Sequence, residues 1–393
     1  MATLESPVEG DDRLSPIGDD AALNWLDNLG LIGKDGSGVA IRAVIVALVA
    51  WLPIAGWAAW QGRLLEQGAG EPLLGHFGVH VRCLVALPLL ILGDTLFRTA
   101  AKRAGTLFLS SGLVTASCRD AYERTIRGAR VLVTSPLTTV LLVGMTLAWL
   151  AATRPDTHEH ELVWAGARDG ALGFGGAWYA YFVRPLFVFL VLRWLWRMAV
   201  LAWWLWRVGR IDLSLVPSHP DRSGGLAFVA RLPHAYALLT LVLSAVLASR
   251  WAHELEFHDA DLKSFVVPLA IFAVLWTMFA LLPVFAIVPR ILKLRKFATL
   301  EYAALAAEQG RLVRRRWILR EKVADDPVLD ASEIGPVADM NAMYDAVDSI
   351  SVVPLIKAAI GAILLPIAIP MLAMAAIKVP IGQLLLKVLK LLV

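Results

Sequence analysis

The feature that most constrains this chain is the run at 177–220, AWYAYFVRPLFVFLVLRWLWRMAVLAWWLWRVGRIDLSLVPSHP. It is apolar and rich in tryptophan for longer than a bilayer core requires, since roughly 20 residues suffice for one crossing. Arg184, Arg193 and Arg197 lie inside it. Arg193 and Arg197 are four residues apart and so share one face of a helix. A charge at bilayer depth costs at least about 2.5–3.5 kcal/mol on an insertion scale. A chain that keeps these arginines must therefore supply partners for them from other helices.

The rest of the chain repeats the pattern. Hydrophobic residues make up 58% of the sequence, against about 45–50% in soluble domains, and mean hydropathy is +0.65. The excess falls in separated runs at 40–60, 79–99, 131–152, 177–207, 233–252 and 264–288, with a further run at 352–377. These read as an all-α, polytopic membrane helix bundle of six or seven spans with a small helical cytoplasmic part. The last run contains Pro354, Pro366 and Pro370. It reads either as a seventh span or as a proline-broken re-entrant segment, which protein would have to shield at that depth.

Charge supplies the orientation. Lys and Arg concentrate at 100–130, 208–232 and 289–350, and the loops at 61–78, 153–177 and 253–263 are poor in them. The positive-inside rule places the first set in the cytoplasm and the second outside. The expected organisation is an acidic cytoplasmic tail at 1–38, a six-span domain at 39–288, a cytoplasmic helical segment at 289–351, and a C-terminal span or re-entrant segment with an amphipathic helix at 352–393. Short helices are also expected near 21–31, lying on the tail, and at 337–350. The N-terminus lacks the apolar region of a signal peptide. Cys83 and Cys118 have neither disulfide-framework nor zinc spacing.

Three groups of residues carry chemistry. Asp94, late in the second span, is the expected counter-ion for the Arg193/Arg197 face, with Arg82 and Arg250 as further members of shared networks. Together with Arg184 these define an ion or solute path beside the fourth helix; the alternative is a structural ion pair that fixes helix packing. The second group is the loop 208–232, where Pro217, Pro220, Gly224 and Gly225 impose a shape. His219 and Asp221, near Asp212 and His234, are candidate ligands for a divalent metal, or else an Asx-type turn. The third group is histidine: His76, His80, His158, His160, His253 and His258 fall on expected outer loops beside acidic residues, an arrangement that suits metal or proton sensing.

The order R-x-D-L-x-L-x-P-x-H-P-D-x-x-G-G-L from Arg210 to Leu226, the W-L-W-R at 194–197 and the V-R-x-L-V-A-L-P-L-L-I-L-G-D at 81–94 resemble a family of bacterial multi-pass inner-membrane proteins. The likeness extends to 339–370. It implies a membrane topology and singles out Asp94, which stands where the family more often has Glu, together with His219 and Asp221. It implies no reaction.

There is no Walker loop, dinucleotide fingerprint, HExxH or GxSxG in the chain. The basic stretch RLVRRRWILR at 311–320 lies close to a span exit, so anionic lipid headgroups, not nucleic acid, are its expected partner. The expected function is movement of ions or small solutes by a channel- or transporter-like protein of the bacterial inner membrane, with its N-terminus in the cytoplasm and further copies of itself as partners. A membrane-embedded metal enzyme and a non-catalytic scaffold or sensor of an envelope assembly are the alternatives.

Overall fold

A computed structural model describes residues 14–18, 37–65, 72–153, 164–165, 172–321 and 335–379. Ten helices carry the fold among these residues: α1 Ser37–Trp60, α2 Phe77–Ser110, α3 Arg119–Thr134, α4 Pro136–Ala152, α5 Phe174–Val208, α6 Ala227–Phe257, α7 Leu262–Ala280, α8 Leu282–Val313, α9 Gly335–Asp348 and α10 Val353–Ala375. No β-strand is present among the described residues. The segments expected to be helical at 21–31 and at the C-terminal end lie outside them. By length and composition six helices can cross a membrane, or seven if α3 and α4 form one bent span.

The expected third span is not one straight helix. The residue before a proline is driven out of the α region, and Ser135 is extended (φ −62°, ψ 132°) and caps α4 by accepting the Leu137 N–H. The axis bends by 42° there. Pro136 has no N–H to give the Leu132 carbonyl. Thr138 Oγ1 and Trp196 Nε1 donate to that carbonyl at 2.8 and 3.0 Å, so the break is hydrogen-bonded within the bundle. The basic segment before it is built into the bundle. In α3, Tyr122, Thr125, Ile126, Ala129 and Val133 are buried, a helical stripe that packs on α5.

The expected sixth span is broken as well. It stops at Ala280, turns at Leu281 and resumes as α8 with Pro283 near its start. α8 runs for 32 residues, about 48 Å. It buries residues mainly in its first half, where it packs on α5, while α9 packs along it.

In the last apolar run the helix is continuous, in spite of its prolines. α10 has 23 residues, about 34 Å, which is enough for a full crossing rather than a re-entrant hairpin. Pro370 deprives the Pro366 carbonyl of its helical donor, and Ser244 Oγ on α6 donates to that carbonyl at 3.0 Å. α6 and α10 pack along their lengths.

α5 is the centre. Leu190, Arg193, Trp194, Arg197, Met198, Val200, Leu201, Trp204, Leu205 and Val208 are all buried in it. α1, α4, α7 and α10 instead show aliphatic faces to the outside, for example Ile41, Leu48, Leu137, Val140, Val267, Leu275, Leu365 and Ile369. An apolar exterior wrapped round a centre holding charge is the inverse of a soluble fold and matches a lipid environment.

Candidate functional site: two polar chambers and a buried ion cluster

The cluster forms where α2 meets α5. Gly93 allows the approach: a Cβ there would lie 3.1 Å from Trp194 Cζ2 and 3.2 Å from Leu238 Cβ. The Trp194 indole N–H donates to the Leu90 carbonyl at 3.1 Å and fixes the register of the two helices. One residue beyond Gly93, Asp94 accepts a hydrogen bond from Arg197 Nη1. Its Oδ2 lies 3.8 Å from Arg193 Nη2 and 3.4 Å from Arg98 Nε. Asp94, Arg193 and Arg197 are 4%, 6% and 1% exposed, so their charges interact with little solvent screening. The expected pairing of Asp94 with the Arg193/Arg197 face is therefore present. Arg98 was not anticipated, although its i, i+4 spacing from Asp94 is visible in the sequence. Among the described residues three guanidinium groups meet one carboxylate. The void beside Arg193 and Arg197 is about 10 Å³, at the lower limit for a single water. Asp94, Arg193 and Arg197 are closed off from solvent, and Arg98 forms the partly exposed edge of the cluster.

Arg184 belongs elsewhere. It precedes Arg197 by 13 positions, about 20 Å along a helix, and lines a chamber of about 690 Å³ at the start of α2 and α5 and the end of α6. Arg82 and Arg250 line the same chamber, with His76, His253 and Glu254. Arg82 donates a hydrogen bond to the Tyr179 hydroxyl. Each of these two residues sits in a π-helical turn, Val81–Ala86 in α2 and Tyr179–Val183 in α5. Such turns recur at functional sites because they redirect side chains within a continuous helix. Arg184 lies 5.4 Å from the centre of the Trp149 ring, and Arg250 pairs with Glu254 at 3.5 Å. The rings of His76 and His253 stack with centroids 5.0 Å apart, and His253 Nδ1 is 3.1 Å from the Gly75 carbonyl oxygen. His258 lies against His253. His80 is separate, held by Trp51 and the Leu73 carbonyl. His158 and His160 lie outside the described residues.

The loop after α5 is closed by the side chain of Asp221. One Asp221 oxygen accepts from Ser223 N at 2.9 Å and Gly225 N at 3.1 Å, and the other accepts from Ala227 N at 3.0 Å. Gly224 and Gly225 have φ of +68° and +96°, values that L side chains avoid. Burial by itself raises the Asp221 carboxyl pKa. The N–H groups of Ala227, Gly225 and Ser223, with the nearby His219, lower it by more, and the net value lies below the ordinary one. His219 Nδ1 is 2.9 Å from Asp221 Oδ1. Asp212 pairs instead with Arg290 at 3.0 Å, and His234 lines a cleft beside α10 that Asp221 also lines. Among the described residues no group of three or more His, Cys, Asp or Glu side chains is placed to hold a metal. The geometry of the loop is that of the Asx-type turn, the other expectation for His219 and Asp221. That loop ties α5 to its neighbours: Ser214 N donates to the Leu113 carbonyl at 2.8 Å, and Ser351 N to the Arg222 carbonyl at 3.1 Å.

Six long apolar helices around a buried ion cluster define an integral, multi-pass membrane protein. Comparison of the chain with protein-family models, curated proteins and solved structures finds no match. The class therefore rests on the helices themselves and on what they enclose.

Proposed function

We propose that the chain is a channel- or transporter-like protein that moves small solutes past α5, with anions favoured. The observation that carries this reading is the chamber of about 690 Å³. It lies within the size range of small-molecule sites, and its described lining holds three arginines and one glutamate. The Asp94–Arg197 cluster stands further along the same two helices. Its near-absence of void fits a shut centre that opens during a cycle. The charge distribution supports a cytoplasmic N-terminus. The loop motif supports membership of the bacterial inner-membrane family it resembles. Anionic lipids at the basic cytoplasmic helices and association of several copies complete the proposal.

The test is flux in proteoliposomes. Purified protein should raise the permeation of chloride or small carboxylates over empty vesicles. Arg184→Gln or Arg250→Gln should cut that gain by about tenfold, with the unfolding temperature unchanged. Arg250 is well exposed on its side chain, so its loss leaves packing intact. Permeation equal to that of empty vesicles for anions and cations alike, or flux indifferent to both substitutions, would overturn the reading.

A further inference from the structure

The start of α10 forms one wall of a cleft that the transport reading does not use. The cleft has a volume of about 530 Å³, within the range of small-molecule sites. Its other wall is the first part of α6, where Ala227–Tyr236 wind as a 3₁₀ helix of 10 residues. That is long for a geometry in which side chains three apart stand above one another. Arg231 and His234 are so related, and both line the cleft. The floor between them and α10 is apolar, with Ala227, Ala230 and Leu355.

The third polar side chain on the described lining is Asp221. Its carboxyl pKa lies below the ordinary value, so it is ionised at neutral pH. Oδ2 accepts one N–H, from Ala227. A carboxylate oxygen has two lone-pair sites, so one acceptor site remains, on a side chain that is 15% exposed. Arg231 and His234 are exposed, and neither makes a hydrogen bond or ion pair with the described residues or any other part of the chain. Asp221 and Arg231 thus line one cleft without pairing to each other. Opposite charges so placed suit a ligand that carries both signs: an anion for the guanidinium, and a cation with N–H donors for the carboxylate.

The remainder of such a ligand is defined by what continues from the cleft. Pro354 and Ala358 stand on a stripe of α10 that runs on through Gly361, Leu365 and Ile369, in steps of three or four residues, and all five are exposed. From Ala358 to Ile369 the stripe covers about 16 Å, roughly half of a hydrocarbon core of about 30 Å. The charged end of the cleft sits where α6 and α10 leave polar chain, so the stripe spans one leaflet.

We propose that the cleft holds the headgroup of a zwitterionic phospholipid with a primary ammonium, phosphatidylethanolamine. The phosphate lies on Arg231 and His234, the ammonium on Asp221, and an acyl chain along the α10 stripe. The site stands whether or not the chain moves solutes.

Full-length protein, stripped of lipid in a neutral detergent, provides the test. Phosphatidylethanolamine, phosphatidylglycerol and phosphatidylcholine of one acyl composition are titrated and read by native mass spectrometry. Phosphatidylglycerol has the anion without the cation, and the trimethylammonium of phosphatidylcholine has no N–H to donate. The wild type should retain one phosphatidylethanolamine per chain in preference to both. Arg231→Gln should weaken that retention about fivefold or more. Ala358→Trp, which fills the cleft from an exposed position, should abolish it, and Lys296→Gln on α8 should leave it unchanged. If Ala358→Trp does not fold, Arg231→Gln decides alone. Retention of either other lipid as strong as that of phosphatidylethanolamine would overturn the proposal. So would retention indifferent to Arg231→Gln, or equal loss in the α8 control.

Discussion

At the scale of single residues, Asp94 has the largest energetic role. It is the acceptor on which Arg197, Arg193 and Arg98 converge. Removing one partner of a buried pair leaves uncompensated charge and costs about 3–5 kcal/mol. Asp94→Asn should therefore lower the unfolding free energy in detergent by about 3 kcal/mol or more. Asp94→Glu, which keeps the charge on a longer stem, should cost clearly less. A thermal unfolding series in which Asn and Glu are equally damaging would contradict the electrostatic role. Asp221 is held by hydrogen bonds from the loop's own N–H groups. Its folded-state pKa is depressed, so the stability it adds is fully present above the unfolded carboxyl value near 4. That stability is lost as pH falls through the folded value. Asp221→Asn should cost about 2 kcal/mol at pH 7, and the difference from wild type should close in acid. A gap that persists unchanged to pH 3, or an unfolding temperature raised by zinc in the wild type alone, would exclude this account.

At the scale of elements, the prolines decide where helices end and what must repair them. α10 survives Pro370 because Ser244 takes over the orphaned Pro366 carbonyl. Ser244→Ala should cost about 1 kcal/mol, typical of an interhelical hydrogen bond in a bundle. In a Pro370→Ala background the helix supplies its own donor, and the same change should cost almost nothing. Equal costs in the two backgrounds, measured by thermal unfolding, would refute the repair. These cases also show what the sequence makes legible. Spans are read from runs of apolar residues, and the helical class, the long fourth helix and the Asp94 pairing with Arg193 and Arg197 all follow from that and from the expense of buried charge. The breaks at Ser135–Pro136 and Leu281 are less visible, because a hydropathy window averages across a proline. The re-entrant alternative at 352–377 arises because nothing local reveals that Ser244, 122 positions away in the chain, serves the freed carbonyl. The π-helical turns that bring Arg82 and Tyr179 together have no sequence signal in one chain. That Arg184 lines the chamber while Arg193 sits in the buried cluster is not legible either, because membership of one helix does not fix the depth at which each side chain acts. The His219–Asp221 pair has the residue types of a metal site. The three backbone N–H groups that the carboxylate accepts from have no signal in the residue types.

At the scale of the whole molecule, the bundle holds two polar chambers at different heights along α2, with a closed ion cluster between them. The arginine chamber sits at the start of α2 and a smaller pocket lies beyond Asp94. This arrangement requires the loop after α6 and the part of α8 around Lys293 to lie on opposite sides of the membrane, with the level of Arg193 sealed from both. Cysteine labelling tests it directly. Cys83 is buried and Cys118 is partly exposed, so single cysteines are introduced into a Cys118→Ser chain in sealed cells and in inverted vesicles. With a membrane-impermeant maleimide, His258→Cys should react only in intact cells and Lys293→Cys only in inverted vesicles. Thr138→Cys, beside Arg193, should react in neither. Labelling of positions 258 and 293 from the same side, or rapid labelling of 138 from either side in the resting protein, would contradict the account.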